Sequence, residues 1–194
     1  MVIVSLSDVD DILKAGLVAV LLPIMGALVF RRLSRDYALH GRLTGTSTAL
    51  QISLFVLHGA SSYVLLDSHL SAIDTANPLF GFALVLIGGG LVLLLTTMGR
   101  FGVKRAVGQE ASGLTCSGMY RKSRNPQVVF YGIVVVGYSL LWPSWTGVIW
   151  VILYAVLAEM MVRMEESHLK RAYGAEYVDY CTSTPRYMDL PGMK

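Results

Sequence analysis

The sequence predicts an all-α integral membrane protein with five transmembrane helices, a C-terminal helical hairpin and a cytoplasmic interfacial helix. Hydrophobic residues make up 54% of the 194 residues, and only 15% are charged, against about 25% in soluble domains. The apolar residues also form long runs, and runs of about 17–25 residues can cross a bilayer as helices. We therefore expect residues 1–194 to form a single membrane domain.

Five apolar runs define the predicted spans, at approximately 12–30, 48–66, 78–98, 126–141 and 145–163. The start of the chain is acidic rather than basic, which favours a retained first helix over a signal peptide. Only the stretch WPSW at 142–145 separates the last two runs. Proline breaks a helix interior and tryptophan favours a membrane–water interface, so these two spans are predicted to form a tight hairpin.

Positive charge is unevenly distributed between the predicted loops. The Lys and Arg residues follow spans one, three and five, beginning with Arg31, Arg32, Arg35 and Arg42 after span one. The loop after span two and the WPSW turn contain none. Because Lys and Arg mark cytoplasmic loops, the N-terminus is predicted outside and the C-terminus in the cytoplasm.

The basic stretch RKSRNPQ at 121–127 stands directly before span four. Asn125 is a favourable helix N-cap and Pro126 suits the first helical position. The free amides of that helix start, together with Arg124, would suit a carboxylate or a phosphate. The alternative is that the charges only mark a cytoplasmic loop.

Carboxylates follow in and after span five. Glu159 lies within the apolar run, where a carboxylate is costly and is usually functional or paired. Arg163 is four residues further on the same helical face, so the two are either a structural pair or candidates for catalysis. Glu165 and Glu166 point about 100° apart on a helix. One of them is expected to face a cavity, whereas Glu166 could instead pair with Lys170.

Three further features stand out, and the first of them allows two interpretations. Gly88-Gly89-Gly90 in span three permits either close helix packing or the approach of a cofactor. Tyr173, Tyr177 and Tyr180 follow at helical spacing, interrupted at Gly174, and indicate a structural helix along the membrane interface. His58 and His168 have no second ligand at a metal-site spacing, so no metal site is predicted.

The order of the C-terminal motifs carries a family resemblance. The motif residues are Gly118, Tyr120, Arg124, Asn125, Pro126, Glu165, Glu166, Leu169, Tyr173, Gly174, Tyr177 and Tyr180. This pattern, over residues 85–187, resembles the membrane methyltransferases that include isoprenylcysteine carboxyl methyltransferases and phospholipid N-methyltransferases. Two positions depart from it: the family often has His where this chain has Asn125, and Tyr where it has Val128. Asparagine does not titrate near neutral pH, so Asn125 is no acid or base.

The resemblance implies S-adenosylmethionine as methyl donor, bound at the cytoplasmic membrane edge. The residues implied for it are Gly88, Gly90, Leu114, Gly118, Tyr120, Arg124, Asn125, Pro126, Glu165 and Glu166. The predicted acceptor is a lipid or lipid-like molecule that enters from the bilayer: a phospholipid amine, a prenylcysteine carboxylate or a quinol-type hydroxyl. The alternatives are an NADPH-dependent reductase of the sterol or steroid type and a non-catalytic membrane scaffold. No nucleic-acid partner is predicted.

Overall fold

The computed structural model describes residues 6–66, 73–102, 108–109 and 113–188, without the side chains of 6–11 and 101. All regular secondary structure in these ranges is helical. The helices are α1 (Leu6–His40), α2 (Gly45–Leu66), α3 (Pro78–Phe101), a short 3₁₀ helix (Gly118–Arg121), α4 (Pro126–Ser139), α5 (Trp145–Tyr173) and α6 (Ala175–Ser183). The predicted all-α class is confirmed for the described part of the chain.

Four of these helices are long and apolar enough to cross a membrane. They cover Ile12–His40, Gly45–Leu66, Pro78–Arg100 and Trp145–Tyr173. The fourth predicted span corresponds to α4, which has only 14 residues. At 1.5 Å per residue α4 is about 21 Å long, against about 30 Å of bilayer hydrocarbon. The chain is a multi-pass membrane protein, and the count of five crossings stays a prediction.

The first helix is longer than predicted. Span one was expected to end near residue 30, with Arg31, Arg32 and Arg35 in a loop, but α1 runs to His40 and only residues 41–44 connect it to α2. The helix continues because Leu33 and Tyr37 are buried in the core beyond the predicted end. The carboxylate of Asp36 closes the turn, since it accepts a hydrogen bond from the backbone amide of Thr44 at 3.1 Å.

The predicted hairpin is confirmed, with its break at Pro143. α4 ends at Ser139 and α5 begins at Trp145. The hydroxyl oxygen of Ser144 caps α5 by accepting a hydrogen bond from the amide of Gly147 at 3.0 Å. The two helices run antiparallel, because Tyr154 of α5 donates to the carbonyl oxygen of Val128, near the start of α4, at 2.6 Å.

The helices pack as two groups that meet between α4 and α5. In the first group α3 lies along α4, and in the second α1 and α2 pack on each other and on α5. Within the described residues, α2 and α3 make no extensive contact. The core of the second group contains fully buried Leu33, Leu54 and Leu157, whereas large apolar side chains such as Val85 and Leu95 are exposed on the outside.

Most of the positive charge gathers at one end of the bundle, which we call the basic end. The ends of α1, α3 and α5 and the starts of α2 and α4 lie there. Gly137, near the end of α4, packs on Ala83, near the start of α3, and Tyr37 of α1 stacks on His168 of α5. Arg100 and Arg171 lie in the last turns of α3 and α5. Arg42 follows α1, and Arg124 precedes α4. Among the described residues, Lys14 is the one Lys or Arg in the opposite half.

The tyrosine-bearing segment after span five is split into two helices. α5 continues to Tyr173, the chain turns at Gly174 with a positive φ of 52°, and α6 follows. Tyr177 and Tyr180 of α6 are buried in the protein. The hydroxyl of Tyr180 donates to the backbone carbonyl of Tyr120. Both tyrosines therefore face the interior of the protein, and the position of α6 at the membrane interface stays a prediction.

Candidate functional site

A cavity of about 170 Å³ opens at the basic end, between α1, α2, α4 and α5. We call it the polar cavity, because charged and polar side chains from four separate chain segments line it. Five residues predicted for the site lie on its wall: Leu114, Tyr120, Arg124, Asn125 and Glu165. Glu165 is about forty residues from Arg124 and Asn125 in sequence, and it meets them because the hairpin returns the chain to the basic end. The wall also contains Tyr37, Gln51, Gln127, His168, Tyr177 and Tyr180.

The other predicted site residues lie outside this wall. Gly118 begins the 3₁₀ helix with a φ of 62°, and Pro126 is fully buried at the start of α4. Gly90 faces α4 instead, since a Cβ there would lie 3.0 Å from the carbonyl oxygen of Phe130. A Cβ on Gly88 would meet nothing within 4 Å. Close helix packing, one of the two interpretations, therefore accounts for Gly90.

The side chain of Arg124 lines the polar cavity and is fixed by contacts with neighbouring residues. Its Nη1 atom lies 3.3 Å from Oε1 of Glu166 and also donates to the sulfur of Cys181. Its backbone amide donates to the carbonyl oxygen of Pro185 at 2.9 Å. The Nε atom of Arg124 is buried and has no hydrogen-bond partner in the part of the chain that the structure describes. The guanidinium group therefore has a donor left for a ligand.

The adjacent carboxylates Glu165 and Glu166 have different environments, as the helical geometry predicted. Glu165 is half-buried and lines the polar cavity. Glu166 lies behind it and forms ion pairs with Arg124 and with Arg186, the latter at 2.6 Å. The expected alternative, a pair between Glu166 and Lys170, is wrong, because residues distant in sequence supply the positive charges.

Asn125 precedes α4 as predicted, but its side chain makes no capping hydrogen bond. The Nδ2 atom of Asn125 donates instead to the backbone carbonyl of Arg186 at 3.1 Å. The reason is that the chain near residue 186 crosses the start of α4 and offers a carbonyl group there. Ser123 takes part in the same contact, since its hydroxyl donates to the same carbonyl at 3.4 Å.

Residues 184–187 form a segment, here called the C-terminal strap, that joins the start of α4 to α5. Arg186 is its centre, with Nη1 at 3.2 Å from Glu159 and Nη2 at 2.6 Å from Glu166. The hydroxyl of Tyr187 donates to Glu159 at 2.6 Å. The hydrogen bond to Glu166 raises the pKa of Arg186, so this side chain stays charged. Sequence reasoning missed Arg186 and Tyr187, although the unusual position of Glu159 within an apolar helix indicated a need for partners.

Glu159 and Arg163 form the predicted i,i+4 pair, with Nε of Arg163 at 2.6 Å from Oε1 of Glu159. The side chain of Arg163 is 71% exposed, and neither residue lines the polar cavity. Glu159 is connected to the site through Arg186 and Tyr187 of the strap. The structure therefore places this pair behind the strap rather than beside the other predicted site residues.

A second, largely apolar cavity of about 380 Å³ lies between α2, α3, α4 and α5, and we call it the lateral cavity. Its rim includes Ile52 and Val56, which are 51% and 62% exposed on the outer surface of the bundle. Four residues line both cavities: Gln51, Gln127, Val128 and Met161. The polar and lateral cavities are therefore neighbours with a common wall.

The described residues thus define a multi-pass membrane protein with a charged cavity at its basic end and an apolar cavity beside it. The family model described as phospholipid methyltransferase matches residues 77–176, just over half of the chain. The chain belongs to the phospholipid methyltransferase family, in agreement with the resemblance drawn from its motifs. Comparison with curated proteins and with solved structures found no match.

Proposed function

We propose that this protein is an S-adenosylmethionine-dependent methyltransferase that acts on a lipid or lipid-like acceptor at the cytoplasmic membrane face. The observation that carries the proposal is the common wall of the polar and lateral cavities. A soluble, charged donor and an apolar acceptor need separate entrances to one reaction site. The polar cavity opens at the basic end, and the lateral cavity opens among exposed apolar side chains.

The chemistry of the polar cavity suits the donor. S-adenosylmethionine carries a carboxylate, an ammonium group, ribose hydroxyls and a flat base. Arg124 has a buried Nε without a partner among the described residues and would hold the carboxylate. Glu165 would hold the ammonium group or the ribose hydroxyls. Tyr37 and His168, stacked with ring centroids 3.9 Å apart, provide an aromatic wall for the base.

Bound in this cavity, S-adenosylmethionine supplies a methyl group activated by a positively charged sulfur. In-line transfer depends on alignment more than on covalent help from the protein. The role of this chain is therefore to hold both reactants and to exclude water. Glu166, which is paired with Arg186, holds Arg124 in place. Glu159 holds the strap from behind through Arg186 and Tyr187. We assign Gly88 and Gly90 no contact with the donor.

The sidedness of the proposed site rests on charge. Lys and Arg residues concentrate on the cytoplasmic side of membrane proteins, and the polar cavity lies at the basic end. A donor made in the cytoplasm would reach that end directly. A lipid acceptor would already be in the membrane beside the lateral cavity.

Calorimetric titration of the protein in lipid nanodiscs tests the proposal. S-adenosylhomocysteine, the demethylated product of the donor, should bind. Glu165→Gln should weaken this binding about ten- to a hundredfold, because a hydrogen bond to a charged group contributes roughly 1.5–3 kcal/mol. Glu176→Gln is the matched control, since Glu176 is exposed on α6 and does not line the cavity.

A second pair of variants asks whether the basic stretch binds the donor or only sets topology. Arg124→Ala should weaken binding, whereas Lys122→Ala, at an exposed side chain, should leave it unchanged. Equal losses from both would reject the proposed role of Arg124. Titration with NADPH completes the test: binding of NADPH alone would favour the reductase, and binding of neither molecule would favour the scaffold.

A further inference from the structure

Gln51 of α2 lies on the common wall of the polar and lateral cavities. Its Nε2 atom donates to the sulfur of Met161 at 3.2 Å. A thioether sulfur accepts hydrogen bonds but donates none, so this contact fixes which end of the amide is the nitrogen. The Oε1 atom is buried and accepts no hydrogen bond from any described residue. Because buried polar groups are nearly always paired, an unpaired carbonyl oxygen beside two cavities indicates a ligand that donates to it.

The contact between Gln51 and Met161 lies just inside the basic end. Gln51 is six residues after the start of α2, or about 9 Å along the helix. On α5, Glu165 follows Met161 by one turn on the same face and is nearer the basic end. The proposed donor site around Glu165 and Arg124 therefore lies about one helical turn nearer the basic end than Gln51. An acceptor head group that approaches the donor from the lateral cavity would meet this amide.

The chemistry of the pairing selects the atom that Gln51 would hold. Oε1 needs a hydrogen from its partner, and a carboxylate oxygen has none to give. An amine nitrogen has one and keeps a lone pair for the methyl group. The described lining of the lateral cavity contains no Asp, Glu, Lys, Arg or His, so no carboxylate there would keep the amine protonated, and the donor's positive sulfur would disfavour an ammonium group beside it. The amine would therefore be held in its neutral, nucleophilic form.

We propose that Gln51 is a positioning residue for an amine acceptor, whose N–H it binds through Oε1 so that the lone pair of the nitrogen turns towards the donor. This inference rests on the proposed methyltransferase function and adds a rule of selectivity to it. The last bond of a glutamine side chain turns readily, so Oε1 can reach a head group in the cavity. A primary amine has two hydrogens, a monomethylated amine has one and a dimethylated amine has none. Gln51 therefore assists the first two methyl transfers to one nitrogen and does not assist a third.

The transfer balances with the groups named. The amine nitrogen forms a bond to the methyl carbon, the bond between that carbon and the donor's sulfur breaks, and the sulfur keeps the electron pair. The nitrogen becomes positively charged, and after the first and second transfers it releases a proton to water at the mouth of the polar cavity, which opens at the basic end. It is then neutral again and has one hydrogen fewer for Gln51.

Binding without a methyl donor is the first measurement. Short-chain phosphatidylethanolamine and phosphatidylcholine are titrated calorimetrically into the protein in phosphatidylglycerol nanodiscs, which contain no competing amine. Gln51→Met keeps the length of the side chain and removes Oε1. It should weaken binding of phosphatidylethanolamine by at least about threefold, the loss expected for one neutral hydrogen bond. Binding of phosphatidylcholine, whose nitrogen has no hydrogen, should change less than twofold.

Thr48→Val is the matched control for Gln51→Met. Thr48 lies one turn before Gln51 on α2 and lines the lateral cavity, but it has no buried polar atom that lacks a partner in the described structure. It should therefore change the binding of both lipids less than twofold. An equal loss of phosphatidylethanolamine binding in the two variants would show that the effect does not come from Oε1 of Gln51, and would overturn the inference.

Activity assays with labelled S-adenosylmethionine then compare the N-monomethylated and N,N-dimethylated forms of phosphatidylethanolamine as acceptors. In Gln51→Met, the ratio of kcat/KM for the monomethylated lipid to that for the dimethylated lipid should fall roughly three- to tenfold. A merely structural role would lower both values together, so an unchanged ratio overturns the inference. Preferential methylation of a farnesylcysteine carboxylate or a hydroquinone by the wild-type protein also overturns it. Failure of the wild-type protein to bind S-adenosylhomocysteine would instead reject the proposed function itself.

Discussion

Replacement of Arg186 by glutamine tests whether the C-terminal strap holds the polar cavity in its binding form. The variant loses the contact of Nη2 with Glu166 at 2.6 Å and that of Nη1 with Glu159 at 3.2 Å. The backbone carbonyl of residue 186, which accepts hydrogen bonds from Ser123 and Asn125, is kept. The substitution therefore isolates the contribution of the guanidinium group.

The expected magnitude follows from the exposure of the partners. The side chain of Glu166 is 13% exposed, whereas those of Arg186 and Glu159 are 38% and 32% exposed. A hydrogen bond between charged groups contributes about 1.5–3 kcal/mol, and solvent screening at Arg186 places the contact with Glu166 at the lower end. The partly exposed contact with Glu159 adds about 0.2–1 kcal/mol. The docked strap should lose about 2 kcal/mol, which lowers its docked-to-released ratio about thirtyfold.

When the strap is released, Arg124 and Asn125 lose their hydrogen bonds to its backbone. Binding of the donor should therefore weaken when the strap is less often docked. We expect Arg186→Gln to raise the Kd for S-adenosylhomocysteine by up to about thirtyfold in nanodisc calorimetry, because only the docked fraction binds. Hydrogen exchange of the amides of Arg124 and Thr184, both bonded to carbonyl groups, should accelerate. Arg186→Lys should recover only part of the affinity, since one ammonium group does not reproduce the guanidinium fork.

Arg163→Gln is the matched control for the Arg186 variant. Arg163 also pairs with Glu159, at 2.6 Å, but it is 71% exposed and lies away from the polar cavity. Its loss should change the Kd less than twofold. If Arg186→Gln binds S-adenosylhomocysteine like wild type, or if both variants lose affinity equally, the strap does not hold the site.

Three further predictions concern the helix contacts, the topology and the strap tyrosine. Gly90→Ala should lower the thermal unfolding temperature, because the added Cβ would lie 3.0 Å from the backbone of α4. Gly88→Ala should not, because its Cβ would have no neighbour within 4 Å. A larger loss of stability in Gly88→Ala than in Gly90→Ala would contradict the packing described. Cys116 and Cys181 should not react with an impermeant maleimide in intact cells, and after lysis Cys116, which is exposed, should react faster than Cys181. Labelling of either thiol before lysis would contradict the predicted topology. Burial, and after it the hydrogen bond to Glu159, raise the pKa of Tyr187 in the folded protein. The stability that the neutral tyrosine contributes is therefore complete below the pKa of the unfolded state, near 10. That stability is lost as pH rises towards the higher pKa of the folded state. The difference in unfolding temperature between wild type and Tyr187→Phe should therefore stay constant from about pH 7 to 9 and shrink only above about pH 10; a decrease at neutral pH would contradict this.

The helices were predictable where the signal is local. The break between α4 and α5 follows from Pro143, and the start of α4 follows from Pro126. The end of α1 was placed about ten residues too early, because Arg31 and Arg32 looked like a membrane boundary. A helix does not have to end where the membrane does. α1 continues beyond that boundary because Tyr37 is buried against His168 of α5. This is a tertiary contact, and the local sequence gives no sign of it.

The candidate site was predictable only in part, because some of its residues are placed by tertiary contacts that the local sequence does not show. The hairpin brings the segment before α4 back to the end of α5, so Arg124 and Glu165 were correctly expected at one end of the bundle. The different positions of Glu165 and Glu166 followed from helical geometry. Arg186 was not predictable, because no periodicity connects it to Glu166, and its place depends on how residues 184–187 cross the bundle. Gln51 lies in a helix without any motif, and its place on the wall of both cavities follows only from the tertiary structure.

The lack of extensive contact between α2 and α3 has a consequence for how the protein should be handled. In a membrane, the side of the bundle between these two helices would face lipid, and acyl chains would complete the wall of the lateral cavity. The surrounding lipid would then both dissolve the proposed acceptor and form part of the cavity that binds it. Chain length and saturation of the host lipid would set the width of that entrance, and detergent, which lacks ordered chains, would change it. Turnover measured in bilayers of different composition would thus report on the shape of the protein as well as on its chemistry.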